Sequence, residues 1–134
     1  MSGESCDLTG VWQGRYFYVG SPAPPVSFTA TMIENSGQIT GSTHEVGAAI
    51  GSGSSTATAA LSGSRMGSHL LMTKTYDDQT AQPYPIEYEG DINAEASEIA
   101  GNWNIFGFGG GTFHMVRAPR RSVSEKLKTS ITVR

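Results

Sequence analysis

The chain has 134 residues, of which 37% are apolar and 16% charged, and its formal net charge is −3. That length suits one domain with a core that needs no disulfide staples, and the lone Cys6 excludes an internal disulfide. The first residues carry no basic-then-apolar secretion signal, and no run is long and apolar enough for a membrane-spanning helix, so a soluble, cytoplasmic protein is expected.

Short segments alternating apolar with small or polar residues recur along the chain between clusters of turn residues, which predicts strands with one buried face. The first covers about 8–18, with Leu8, Gly10, Trp12, Gly14 and Tyr16 on one side. The Pro-rich stretch 20–25 ends it, because proline cannot donate to a ladder. The second, about 26–34, places Val26, Phe28, Ala30 and Met32 together, and Asn35-Ser36-Gly37-Gln38 reads as a tight hairpin turn into a third strand from Ile39 to about Val46. A Gly/Ala/Ser stretch, 47–55, is expected to be a flexible loop. Strands are predicted at 56–64 and 69–76, joined at Arg65-Met66-Gly67, and a further loop at 77–83. Three more follow at about 84–91, 98–106 and 112–117, with turns at 93–97 and in the glycine run 107–111.

One phrase, an apolar residue, any residue, then glycine, occurs in five of these segments: Leu8-Thr9-Gly10, Ile39-Thr40-Gly41, Leu61-Ser62-Gly63, Tyr88-Glu89-Gly90 and Ile99-Ala100-Gly101. Glycine at a recurring place in a strand suits a curved sheet whose backbones approach closely. Eight short strands joined by short connections predict an all-β fold: a single eight-stranded antiparallel up-and-down barrel over 1–117, closed so that no edge is exposed. Such an interior holds side chains or one small ligand.

The charge is uneven. Residues 117–134 carry six basic residues against one acidic, and residues 1–116 carry three against eleven. A basic C-terminal tail, 118–134, with a short helix at about Val123 to Thr129 or none, is expected to lie in solvent or on an acidic surface of its own or a neighbouring subunit. Nucleic acid and anionic membrane are not expected partners, because the acidic body repels both.

The opening Leu8-Thr9-Gly10-Val11-Trp12 and the ending Met115-Val116-Arg117 resemble the calycin group of barrels, which includes lipocalins, fatty-acid-binding proteins and avidins. The resemblance implies that Trp12 closes one barrel end and that Arg117 covers its face, a structural role. Over the first half of the chain the order of Leu8-Thr9-Gly10-Val11-Trp12, Gly37-Gln38-Ile39-Thr40-Gly41 and Leu61-Ser62-Gly63-Ser64-Arg65 is most similar to the avidins. The biotin-binding set is not carried over: only Trp12 and Trp103 are present, and Thr43 stands where that family's third strand has a ligand-contacting tyrosine. Biotin is therefore not expected.

Strand parity supplies a ligand-binding set. If Ile39 and Gly41 face inward, so do Thr43 and Glu45; if Leu61 and Gly63 do, so does Arg65, at the same rim or the opposite one. Tyr16, Tyr88 and Trp103 share the inward parity of their strands. A mouth lined by Glu45, Arg65, Tyr16 and Tyr88 could orient a small polar ligand against an aromatic wall; the plain alternative is a rim ion pair with space-filling tyrosines. His44 and His114 point outward and His69 lies at a turn, so no metal site is expected. No catalytic set is expected: the serines lack a nucleophile-elbow context, Cys6 lacks a basic neighbour, Glu87 and Glu89 read as a solvated face, and no phosphate-loop lysine follows the run 107–111. The leading expectation is a non-enzymatic binding barrel for a small, partly apolar ligand, without cofactor. The alternatives are a filled barrel acting in homo-oligomer assembly, and an enzyme with Glu45 as general base beside Arg65 or Tyr16.

Overall fold

The computed structural model describes residues 7–46, 56–78 and 84–118. Eight strands run in chain order: β1 (Gly10–Tyr18), β2 (Val26–Asn35), β3 (Gln38–Val46), β4 (Thr56–Met66), β5 (His69–Tyr76), β6 (Ile86–Ile92), β7 (Glu98–Ile105) and β8 (Gly109–Arg117). Each pairs antiparallel with its neighbours in sequence, and β8 returns to β1, from Trp12 opposite Arg117 to Tyr18 opposite Gly111, to close an up-and-down barrel. The expected all-β architecture is thus the observed one.

Alternation dictates what fills it. Trp12 and Tyr16 from β1, Phe28, Ala30 and Met32 from β2, Leu70 and Met72 from β5, and Phe113 and Met115 from β8 form one continuous buried cluster. The intervening residues face solvent, as on β6, where Ile86, Tyr88, Gly90 and Ile92 are buried and Glu87, Glu89 and Asp91 exposed. Glycines of the repeated phrase lie where a neighbouring backbone leaves no room for Cβ. A methyl group at Gly41, Gly63 or Gly101 would run into the carbonyl oxygen of Thr31, Leu71 or Glu89 on the adjacent strand. The hairpin between β2 and β3 is a two-residue turn, with Ser36 and Gly37 at φ 52° and 83°, the left-handed pair whose twist matches the flanking strands.

Several strand bounds differ from expectation: β1 begins at Gly10 rather than at about 8, and β4 continues through Arg65 and Met66 to a turn at 67–68. β8 begins at Gly109 rather than at Thr112, because the turn occupies 106–108, closed by the Phe108 amide on the Ile105 carbonyl at 2.8 Å. Gly110 and Gly111 are strand residues beneath the Trp103 and Phe17 carbonyls, so the glycine run serves close strand approach as well as turning. β6 begins at Ile86 because Pro85, before it, has no amide to donate. The expected loop 47–55, most of the loop 77–83, Cys6 and the basic tail beyond Ala118 lie outside the described residues.

Candidate functional site

The two barrel ends differ. At one, the turns are short, at 36–37, 67–68 and 93–97, and the chain before β1 crosses the opening. Leu8 there is fully buried and Trp12 donates its indole N–H to the Leu8 carbonyl at 3.0 Å. The Arg117 guanidinium lies 4.8 Å from the Trp12 ring centroid and donates to the carbonyls of Ala96 (3.0 Å), Thr9 (2.7 Å) and Asp7. This end is a plug of apolar bulk, a stacked cation and charge-assisted hydrogen bonds. The opposite end carries the connection 19–25, the turn 106–108, the last residues of β3 and β5 and the first residues of β4 and β6.

Beneath that second end a polar group sits inside the apolar barrel. Glu45 projects inward from β3 and Lys74 from β5, and their Oε2 and Nζ atoms are 2.8 Å apart. Lys74 is 1% exposed and Glu45 8%. Glu45 also accepts the hydroxyls of Tyr76 at 2.6 Å and Tyr16 at 3.0 Å, so one carboxylate takes three donors from two strands. The ammonium lies over four rings, 4.7 Å from the centroid of Tyr16, 4.8 Å from Tyr76 and 5.5 Å from Phe28 and Tyr88. Desolvation is therefore offset by an opposite charge and by ring quadrupoles.

Titration follows the same terms. Burial pulls the Lys74 ammonium below the usual lysine range, and Glu45 opposes this. Burial raises the Tyr16 hydroxyl, reinforced by the Glu45 charge; it raises Tyr76, reinforced by Tyr16 and Glu45. Tyr88 is raised by burial and then by Tyr16. Both tyrosines on the carboxylate therefore stay protonated donors, and the group can hold a ligand by hydrogen bonds and ring faces. A cavity of about 10 Å³ adjoins it, lined by Phe28, Thr43, Leu61, Met72, Lys74 and Tyr88 among others.

Tyr16, Thr43, Glu45, Tyr88 and Trp103 are all inward and buried, in keeping with their strand parity. Trp103 donates to the Phe17 carbonyl at 3.0 Å and meets Tyr16 and Tyr18 edge-on. Thr43 is 3% exposed, and among the described residues its Oγ1 is the fully buried side-chain polar atom without a hydrogen-bond partner. Arg65 is not with them. It faces inward at the plugged end, 3.3 Å from Glu34, while Glu45 stands opposite Ala57, eight residues away along β4, or about 27 Å of strand. β3 and β4 run antiparallel, so residues near their C-terminal ends lie at opposite rims; a mouth shared by Glu45 and Arg65, and the general-base reading built on it, fail here. Lys74 and Tyr76 were not singled out from sequence, although their parity with Leu70 and Met72 marks them as inward.

The histidines stand outside the barrel: His44 is exposed, His114 lies 3.3 Å from Glu98, and His69, the first residue of β5, lies 3.0 Å from Glu89 and 3.5 Å from Asp91. Among the described residues no three His, Cys, Asp or Glu side chains are grouped to hold a metal ion. No protein-family model matches this chain, and no curated protein matches it.

Proposed function

We propose that the protein is a non-enzymatic binding barrel that takes one small, partly apolar molecule at its open end. Tyr16, Glu45, Lys74 and Tyr76 supply the polar contacts, and Phe28, Tyr88 and Trp103 the aromatic wall. The buried ion pair carries this reading. Exchanging a buried ion pair for apolar packing of similar volume is often neutral or stabilising, by up to about 4 kcal/mol, so packing alone does not call for this pair. A charged, three-donor group kept at the end away from the plug is what a specific ligand needs and what packing does not. The stack of Arg117 on Trp12 supports kinship with lipocalin-like and avidin-like barrels as part of the same proposal.

One observation favours a second reading, a filled barrel that acts in assembly: the cavity of about 10 Å³ is no larger than one water molecule needs. Native mass spectrometry and thermal-shift screening of the full chain against a broad metabolite set separate the two. A one-to-one ligand whose stabilisation is lost in Tyr76→Phe supports binding. No ligand, together with a concentration-dependent oligomer in light scattering, overturns it in favour of assembly.

A further inference from the structure

Lys74 and Thr43 have hydrogen-bonding capacity that the fold does not use. Among the described residues the ammonium, with three N–H donors, makes one hydrogen bond, to Glu45; its other directions face rings and the cavity. The Thr43 hydroxyl is buried without a partner and lines the same cavity. An unpaired buried hydroxyl is costly, and here it lines the same small cavity as a buried cation with unused donors. The remaining wall is Phe28, Leu61, Met72, Tyr88 and Met115, which is apolar and in part aromatic. The two methionines are unbranched and can give way to an entering group.

We infer that this cavity is the seat of one neutral carbonyl-type oxygen, received by Lys74 Nζ and Thr43 Oγ1, so that the ligand class is small uncharged carbonyl compounds inserted oxygen first. The inference rests on the binding reading above and names its ligand. Charge decides against an anion. Lys74 is already balanced by Glu45 at 2.8 Å, so a carboxylate placed here would leave a net negative charge in an apolar barrel, facing a second carboxylate. A carbonyl oxygen adds acceptor lone pairs without charge and matches a water-sized space, and its alkyl substituents enter as Met72 and Met115 give way.

The test uses the full chain labelled with ¹³C at its methionine methyls, five reporters of which Met72 and Met115 line the cavity while Met66 is exposed. Acetone, acetate and dimethyl sulfide serve as the neutral carbonyl, the charged carbonyl and the apolar comparator. Acetone is expected to shift the Met72 and Met115 signals saturably and to leave Met66 in place, with acetate and dimethyl sulfide at least about fivefold weaker, the worth of one hydrogen bond. Thr43→Val, which keeps the shape and removes the hydroxyl, should weaken acetone by about fivefold and leave the folded spectrum intact. Equal binding of acetone and dimethyl sulfide, tighter binding of acetate, or an unchanged affinity in Thr43→Val overturns the inference. A ligand from the metabolite screen that leaves Met72 and Met115 unshifted overturns this subsite alone. Failure of every compound in both experiments overturns the binding reading with it.

Discussion

Lys74 shows at single-residue scale how a charge is kept inside hydrocarbon. Its removal as Lys74→Met leaves Glu45 buried without its counter-ion, and the urea unfolding midpoint should report a loss of about 3–5 kcal/mol. The double variant Glu45→Gln with Lys74→Met should recover most of that loss, since glutamine still accepts from Tyr16 and Tyr76. The tyrosines make a separate prediction about pH. Their folded hydroxyls are held above the ordinary value of 10.0, so above about pH 10 the unfolded chain releases protons that the folded chain retains. The stability tied to the protonated tyrosines is complete below that pH and is lost as pH rises, by roughly 1.4 kcal/mol per pH unit for each tyrosine. Lys74 works in the opposite sense. Its folded value lies below 10.5, so stability rises as pH approaches 10.5 from below and this contribution then levels off. Urea titrations between pH 8 and pH 11 should show the fall beginning near pH 10, and Tyr88→Phe, which touches no Glu45 hydrogen bond, should make it shallower.

At the scale of one strand, the glycines decide how closely neighbours approach. Gly63 lies under the Leu71 carbonyl of β5, and a Cβ there meets backbone, which cannot swing aside as a side chain can. Gly63→Ala should therefore cost about 3 kcal/mol or more in urea unfolding, whereas exposed Ser62→Ala beside it should stay within about 0.5 kcal/mol. The alternation that identifies each strand also decides which of its residues face inward, and here it was legible: Tyr16, Thr43, Glu45, Tyr88 and Trp103 all face inward. Arg65 is inward too, at the plugged end. Parity gives the face of a strand and not the height along it. Lys74 and Tyr76 were equally available from the alternation Leu70, Met72, Lys74, Tyr76; a lysine at an apolar position reads as an exception until a carboxylate is found opposite it. The start of β8 was hidden because a run of glycines reads as a turn, whichever of its residues enter the ladder.

For the whole barrel, closure depends on the pairing that spans the chain. β1 meets β8 across a hundred residues, and Arg117 secures that junction by holding Trp12 face-on and three carbonyls from the chain before β1 and the turn 93–97. Lysine keeps the charge but has neither the planar face nor the fork of donors. Arg117→Lys should lower stability by about 1.5–3 kcal/mol, the worth of a hydrogen bond to a charged group. Its effect should appear as faster amide exchange along both β1 and β8, with β3 to β5 unaffected.

The sequence by itself determined the strands, their order and their inward faces, because these follow from local periodicity and from turns that join neighbours; Trp12 and Arg117 as the closing pair followed from the resemblance to calycin barrels. Only the tertiary structure decided which inward residues share a level of the barrel. It set Glu45 against Lys74 and Tyr76 on β5 and Tyr16 on β1, and it sent Arg65 to Glu34 at the far end. The reason is geometric: side-chain direction repeats every two residues within a strand, whereas contact across a barrel depends on the register and stagger of strands that are not adjacent in sequence.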